Sequence, residues 1–294
     1  MNRKLITIIS ILLLIVVQTS QSSAGIISTI KDRPFNLFVP TTYKTGTAAP
    51  LIIALHGYSS SPEVTESRWG LDAVAEKNGV LVAYPGGTTD LAGNRFWNAT
   101  PACCDLGKSN INDEAFIISV IDEISKIYQV DQKRIYLLGH SNGGFMSYRM
   151  ACKRSDRFAA IVSVAGAMYV NSTDCVPNSK VSILQIHGTS DATILFDGGT
   201  LGGNPFPSAK DSLSKWAKID GCTSKLTLTK SKLDLDRSIS GSESTVSKYS
   251  GCKSGTSVEL WTINNGVHVP KPSITFAYEV MKFLLSKSKN PGSM

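Results

Sequence analysis

Arg134-Ile135-Tyr136-Leu137-Leu138-Gly139-His140-Ser141-Asn142-Gly143-Gly144 is the stretch on which the fold turns. Arg134 to Leu138 is a short, nearly apolar run of the kind that a sheet buried on both faces requires. From Gly143 to Lys153 the apolar residues return at helical spacing. Between the two runs, Gly139-His140-Ser141-Asn142-Gly143 fits the pattern G-x-S-x-G. A serine on a sharp turn between strand and helix is the context of a nucleophile elbow. So tight a turn forces Ser141 into a strained backbone conformation. It also brings neighbouring chain against positions 139 and 143, where a Cβ would clash, and this explains the glycines. The pentapeptide alone is weak evidence, and its placement between strand and helix carries the reading.

Outward from this turn the same alternation repeats. Leu51 to Leu55, Val80 to Tyr84, Ala160 to Val164, Val181 to Ile186 and Val258 to Ile263 read as further strands. Arg68 to Lys77, Asp113 to Tyr128, Ser208 to Lys218 and Pro272 to Leu285 read as helices. Strand, helix, strand in repetition means an α/β fold with a doubly wound, mostly parallel sheet. No internal repeat or Pro/Ser-rich linker interrupts it, so a single domain is expected over residues 25–294. Thr223 to Gly255 is polar and rich in Ser, Lys and Thr, and is expected to be an exposed excursion.

A serine hydroxyl is a poor nucleophile at neutral pH, so the elbow requires a histidine base and an acid to orient it. On this fold they follow in the chain order Ser, Asp/Glu, His. Asp191, just past the strand Val181 to Ile186, and His268, in the loop after Val258 to Ile263, satisfy that order at the carboxyl edge of the sheet. Asp197 is the rival acid and His187 the rival base. His140 lies inside the elbow, and His56 belongs to the turn His56-Gly57-Tyr58. A tetrahedral intermediate needs two backbone N–H donors, and the amides of Tyr58 and Asn142 are the candidates.

The 294 residues are 42% apolar and 18% charged, as in a folded globular protein. Arg3 and Lys4 precede the apolar run Leu5 to Val17 and the small, polar run Gln18 to Ala24, which reads as a signal peptide over residues 1–24. The apolar run falls short of the roughly 20 residues that span a bilayer. The mature chain is therefore expected in an oxidising space, extracellular or periplasmic, without a stable membrane anchor. Its removal lowers the formal charge from +7 to +5. The lysines after residue 210 alternate with Asp and Ser and lack interleaved aromatics, so no nucleic-acid partner is expected, and the chain reads as a monomer. With no C-x-x-C or H-x-x-x-H spacing, neither a metal nor a cofactor is expected. Cys222 and Cys252 flank the polar excursion and are expected to close it. A bridge between the neighbours Cys103 and Cys104 would be strained, so these two are expected to pair with Cys152 and Cys175, in either order.

His56-Gly57-Tyr58, Tyr84-Pro85-Gly86-Gly87, Phe96-Trp97-Asn98, Cys103-Cys104-Asp105, Arg134 to Gly144, Met146 to Cys152, Phe158 to Ala167, Val181 to Asp191 and Pro207-Ser208-Ala209 through Cys222 carry a resemblance. With them the chain resembles the secreted polyhydroxybutyrate depolymerase and feruloyl esterase-like family of α/β-hydrolases. The resemblance implies Ser141 as nucleophile, Asp191 as acid, His268 as base and Tyr58 and Asn142 as oxyanion donors. It also implies a carboxylic ester as substrate, small or oligomeric. One departure is that family members usually carry a tryptophan and proline soon after the histidine, where this chain has Val269 and Pro270. Trp97 and His140 are the side chains expected to touch substrate beside the site. A serine peptidase, an acyltransferase, or a non-catalytic binding module on the same fold are the alternatives. Without an appended substrate-binding domain, soluble esters are expected to be preferred over solid polymer.

Overall fold

The computed structural model describes residues 26–30 and 33–289, so the signal-peptide reading of residues 1–24 lies outside the described residues. Ten strands form one sheet. In chain order they are β1 (Ile26–Ile30), β2 (Arg33–Phe38), β3 (Ala49–Leu55), β4 (Leu81–Pro85), β5 (Val130–His140), β6 (Ala160–Val164), β7 (Ser182–Gly188), β8 (Thr227–Leu233), β9 (Ser244–Lys248) and β10 (Val258–Ile263). Across the sheet they lie in the order β1-β2-β4-β3-β5-β6-β7-β10-β9-β8. The run from β4 to β10 is parallel throughout. Antiparallel strands border it on both edges.

Helices α1 (Pro62–Trp69), α2 (Leu71–Asn78), α3 (Asp113–Ile127), α4 (Asn142–Lys153), α5 (Ala209–Ile219) and α6 (Phe276–Leu285) cover both faces. The strand period of two sorts the core. Leu51, Ile53 and Leu55 of β3 join Phe116 and Ile121 of α3, Phe145 of α4 and Trp216 of α5 on one face. Ile52 and Ala54 join Trp69, Leu71, Phe276 and Val280 on the other. This double burial is why β3 reads as an unbroken apolar run. It also sets the carboxyl ends of β3, β5, β7 and β10 along one edge, each leading into a candidate site loop.

Four expectations need correction. The helix expected over Arg68 to Lys77 is two helices, because Gly70, at φ 63°, ends α1 and precedes α2. The last helix begins at Phe276, since Pro272 is held in a bridge to Asp236. The stretch from Thr223 to Gly255 is no mere excursion: it contributes β8 and β9, which extend the sheet beyond β10. Cys222 and Cys252 do pair, but Cys152 pairs with Cys175, and Cys103 pairs with its neighbour Cys104. The end of α4 and the loop after β6 bring Cys152 to Cys175 with 4.8 Å between Cα atoms, which leaves the two adjacent cysteines only each other.

Candidate active site

Ser141 sits between β5 and α4 at φ 53° and ψ −119°, a conformation that side chains rarely adopt, held by its amide donating to the Val164 carbonyl at 2.8 Å. A Cβ on Gly139 would lie 2.0 Å from the Gly143 carbonyl oxygen, and one on Gly143 would lie 2.4 Å from that of Leu55. Both glycines of the pentapeptide are thus sterically required.

The elbow presents the Ser141 hydroxyl to His268, with Oγ 2.9 Å from Nε2. On the far side of the ring, Nδ1 lies 2.8 Å from Asp191 Oδ2. The Thr193 and Ile194 amides donate to Asp191 Oδ1 at 2.9 and 2.8 Å. Burial alone would raise the Asp191 pKa. Hydrogen bonds from His187 and His268, the adjacent His268 ring and the Ile194 amide outweigh burial and hold the carboxyl well below the usual carboxylate range. An ionised acid on Nδ1 fixes the tautomer that leaves Nε2 free to accept the serine proton. The rival acid Asp197 is exposed. The rival base His187 contacts the acid, 3.2 Å from Asp191 Oδ2.

The loop after β10 that carries His268 is held from two directions. Ser190 donates to the Gly266 carbonyl at 2.9 Å and Thr189 to that of Ile263 at 3.0 Å. From below, His140 Nε2 lies 2.8 Å from the His268 carbonyl oxygen, and the two rings are 5.1 Å apart. Burial, reinforced by the His268 ring, lowers the His140 pKa to about 3. His140 is therefore neutral and donates to the backbone of the base. The expectation that it touches substrate is corrected: it is buried beneath His268.

Among the described residues, the amides of Tyr58 and Asn142 donate to no protein group. Trp97 links the segments that carry them. Its amide donates to Asn142 Oδ1 at 2.7 Å, its carbonyl accepts from Asn142 Nδ2 at 2.9 Å, and its indole N–H donates to the His56 carbonyl at 3.0 Å. The His56 ring packs 4.9 Å from that of Trp97 and accepts the Gly87 amide at 2.8 Å, with burial lowering its pKa to about 4. Trp97 is 0% exposed, so its expected stacking on substrate is also corrected. The long loop folds the ring inward because Arg33 and Phe116 close over it.

Cys103 stands between Asn142, whose Nδ2 is 3.6 Å from its sulfur, and a cavity of about 700 Å³. Asn98, Thr100, Asn110, Arg149, Lys153 and Asn204 give that cavity a polar lining. The buried Thr100 hydroxyl has no hydrogen-bond partner.

Fold and site together define an α/β-hydrolase with a Ser-His-Asp triad. Within that class the chain is similar to feruloyl esterases. Feruloyl esterase B of Piromyces equi is 32% identical over 237 residues, covering 78% of this chain and 41% of that protein. Putative esterase NocK of Nocardia uniformis subsp. tsuyamanensis is 35% identical over 149 residues, 51% of this chain and 42% of that one. The chain thus spans about two fifths of the length of either relative. The prolyl oligopeptidase family model matches residues 66–193, which include Ser141 and Asp191. Acetyl xylan esterase from Aspergillus awamori shares the fold with a TM-score of 0.61 at 14% identity, over 89% of this chain and 98% of that one.

Proposed function

We propose that this chain is a secreted enzyme that hydrolyses carboxylic esters through an acyl intermediate on Ser141. The observation that carries the reading is the continuous contact from Ser141 Oγ to His268 at 2.9 Å and from His268 to Asp191 at 2.8 Å. Ser141 Oγ attacks the ester carbonyl carbon while its proton passes to His268 Nε2. The carbonyl π electrons move onto oxygen, where the Tyr58 and Asn142 amides receive the charge. As the intermediate collapses, the bond to the alcohol oxygen breaks and His268 returns the proton to the leaving alcohol. His268 then takes a proton from water, hydroxide attacks the acyl carbon, and the acid leaves as Ser141 is reprotonated. Asp191 stays ionised throughout and stabilises the transient imidazolium.

The substrate class in this reading is short, aryl or hydroxyalkanoate esters, small or oligomeric. The feruloyl esterase relative supports an aryl acyl group. Secretion is supported by the basic and apolar leader and by three disulfides. The prolyl oligopeptidase-family match favours a second reading, peptide hydrolysis with the same residues. A panel of p-nitrophenyl acetate, methyl ferulate, hydroxybutyrate oligomers and prolyl peptides tests both. Ser141→Ala should keep the fold, by circular dichroism, and lower ester hydrolysis by roughly three orders of magnitude or more. Esterase activity within tenfold of the parent would sink the assignment, and cleavage of peptides alone would establish the second reading.

A further inference from the structure

Behind the acid, three buried side chains outside the triad form one directed chain of hydrogen bonds. The Tyr148 hydroxyl of α4 donates to Gln185 Oε1 at 3.0 Å. Gln185 Nε2, on β7, has one hydrogen for the Gly166 carbonyl at 2.8 Å and one for His187 Nδ1 at 3.1 Å. His187 Nε2 faces the Ile194 carbonyl at 2.8 Å and Asp191 Oδ2 at 3.2 Å. All four side chains are buried.

Donor and acceptor roles permit a single assignment. Turning the Gln185 amide over would set its oxygen against the Gly166 carbonyl, so Nε2 must point to His187. The His187 Nδ1 is then the acceptor, and its proton resides on Nε2. A doubly protonated His187 would oppose Nδ1–H to the Gln185 N–H. Burial keeps the Tyr148 phenol protonated, as the donor at the head of the chain. The one hydrogen on His187 Nε2 is shared between the Ile194 carbonyl at 2.8 Å and, more distantly, Asp191 Oδ2 at 3.2 Å, the oxygen that His268 Nδ1 contacts, while the Thr193 and Ile194 amides hold the other. The carboxylate cannot rotate without breaking several of these bonds. The ionisable or charged groups around the relay are Asp191, His268 and Tyr148; Phe196 packs on the outer side of His187, with Lys210 over its ring.

We propose that His187, fixed in its Nε2–H tautomer by Gln185 and Tyr148, is a positioning residue that holds Asp191 Oδ2 on the base during ester hydrolysis. The inference rests on the esterase reading for its kinetic consequence but not for its structural one. Its role is distinct from charge supply: Asp191 is already held by two amides, and what His187 adds is the choice of oxygen and its direction.

The test uses the full chain with p-nitrophenyl acetate. His187→Leu, which deletes the donor, should lower kcat roughly tenfold or more with little change in KM, and His187→Gln, whose amide reaches the Nε2 position, should recover most of it. Tyr148→Phe, a change of one atom, should lower kcat about threefold, and the double variant His187→Leu/Tyr148→Phe should be no slower than His187→Leu alone, because both act through one chain. Equal losses in the Leu and Gln variants, losses in KM, or multiplicative losses in the double variant would overturn the proposal. A second measurement needs no substrate. The downfield proton resonance of His268 Nδ1–H should persist in Ser141→Ala and His187→Gln and should shift or vanish in His187→Leu. An unchanged resonance in His187→Leu overturns the proposal even if the parent hydrolyses no ester. Absence of hydrolysis with the expected spectra would overturn only the esterase reading.

Discussion

Trp97 shows how much a single residue can organise without touching substrate. Its backbone grips the Asn142 side chain and its indole N–H grips the His56 carbonyl, so it ties together the two segments whose amides are the proposed oxyanion donors. Trp97→Phe, which removes the indole hydrogen bond, should therefore lower kcat for acetyl and aryl esters by the same factor, roughly 2- to 13-fold, because a neutral hydrogen bond contributes on the order of 0.5 to 1.5 kcal/mol. A rise in KM confined to aryl esters would mean that the ring reaches substrate after all. Ser141, Asp191 and His268 are legible in the sequence because chain order and the edge of a parallel sheet constrain them jointly. Trp97 is not, because its burial depends on Arg33 and Phe116, which are distant in sequence and whose mutual contact, 3.5 Å from guanidinium carbon to ring centre, closes the pocket around it. His140 is misread for a similar reason. The motif fixes its place in the elbow but not which loop will lie across its ring.

At the scale of elements, the central strands are legible because each is buried on both faces and is therefore almost uniformly apolar. The edges are not. β8 reads Thr-Leu-Thr-Lys-Ser-Lys-Leu and is largely exposed, and its lysines keep a free edge from pairing with other chains while hiding the strand from a hydrophobicity reading. The break at Gly70 is likewise a matter of one left-handed residue, although the Ser61-Pro62 start of α1 is a recognisable cap whose hydroxyl accepts the Val64 amide at 3.3 Å. Asp220, which ends α5, carries a testable consequence. It is fully buried, and burial, only partly opposed by Thr256 and Lys180, raises its pKa to about 7. The folded state thus binds this proton more tightly than the unfolded chain does. The associated stability is fully present below the ordinary aspartate range, and it is lost as pH rises towards 7. Asp220→Asn, which mimics the neutral form, should leave Tm nearly unchanged at pH 3, below the ordinary aspartate range, and raise it by a growing margin over the parent as pH rises to about 7. A Tm difference that does not grow with pH would show that Asp220 is ionised in the folded protein.

Across the whole molecule, the parallel sheet separates the machinery from the bracing. Ser141, Asp191 and His268 all follow the carboxyl ends of their strands, whereas the Cys222–Cys252 bridge joins the end of α5 to the segment that enters β10. β10 runs from Val258 to Ile263, so its length, on the order of 20 Å, lies between that bridge and the loop bearing His268. The base loop has its own supports in Ser190, Thr189 and His140, and none of them passes through the bridge. Stability and activity should therefore come apart when the bridge is removed. The two cysteines are 30 residues apart in sequence. In the chain-entropy model, a loop of that length stabilises the fold by roughly 3 to 4 kcal/mol. The Cys222→Ser/Cys252→Ser variant should lose about that much in denaturant unfolding, while kcat on p-nitrophenyl acetate at 25 °C stays within about twofold, since two-state destabilisation of this size still leaves most chains folded. If kcat falls with stability at a temperature where circular dichroism reports a folded chain, the bridge braces His268 through β9 and β10. The division between a catalytic edge and a structural edge would then fail for this protein.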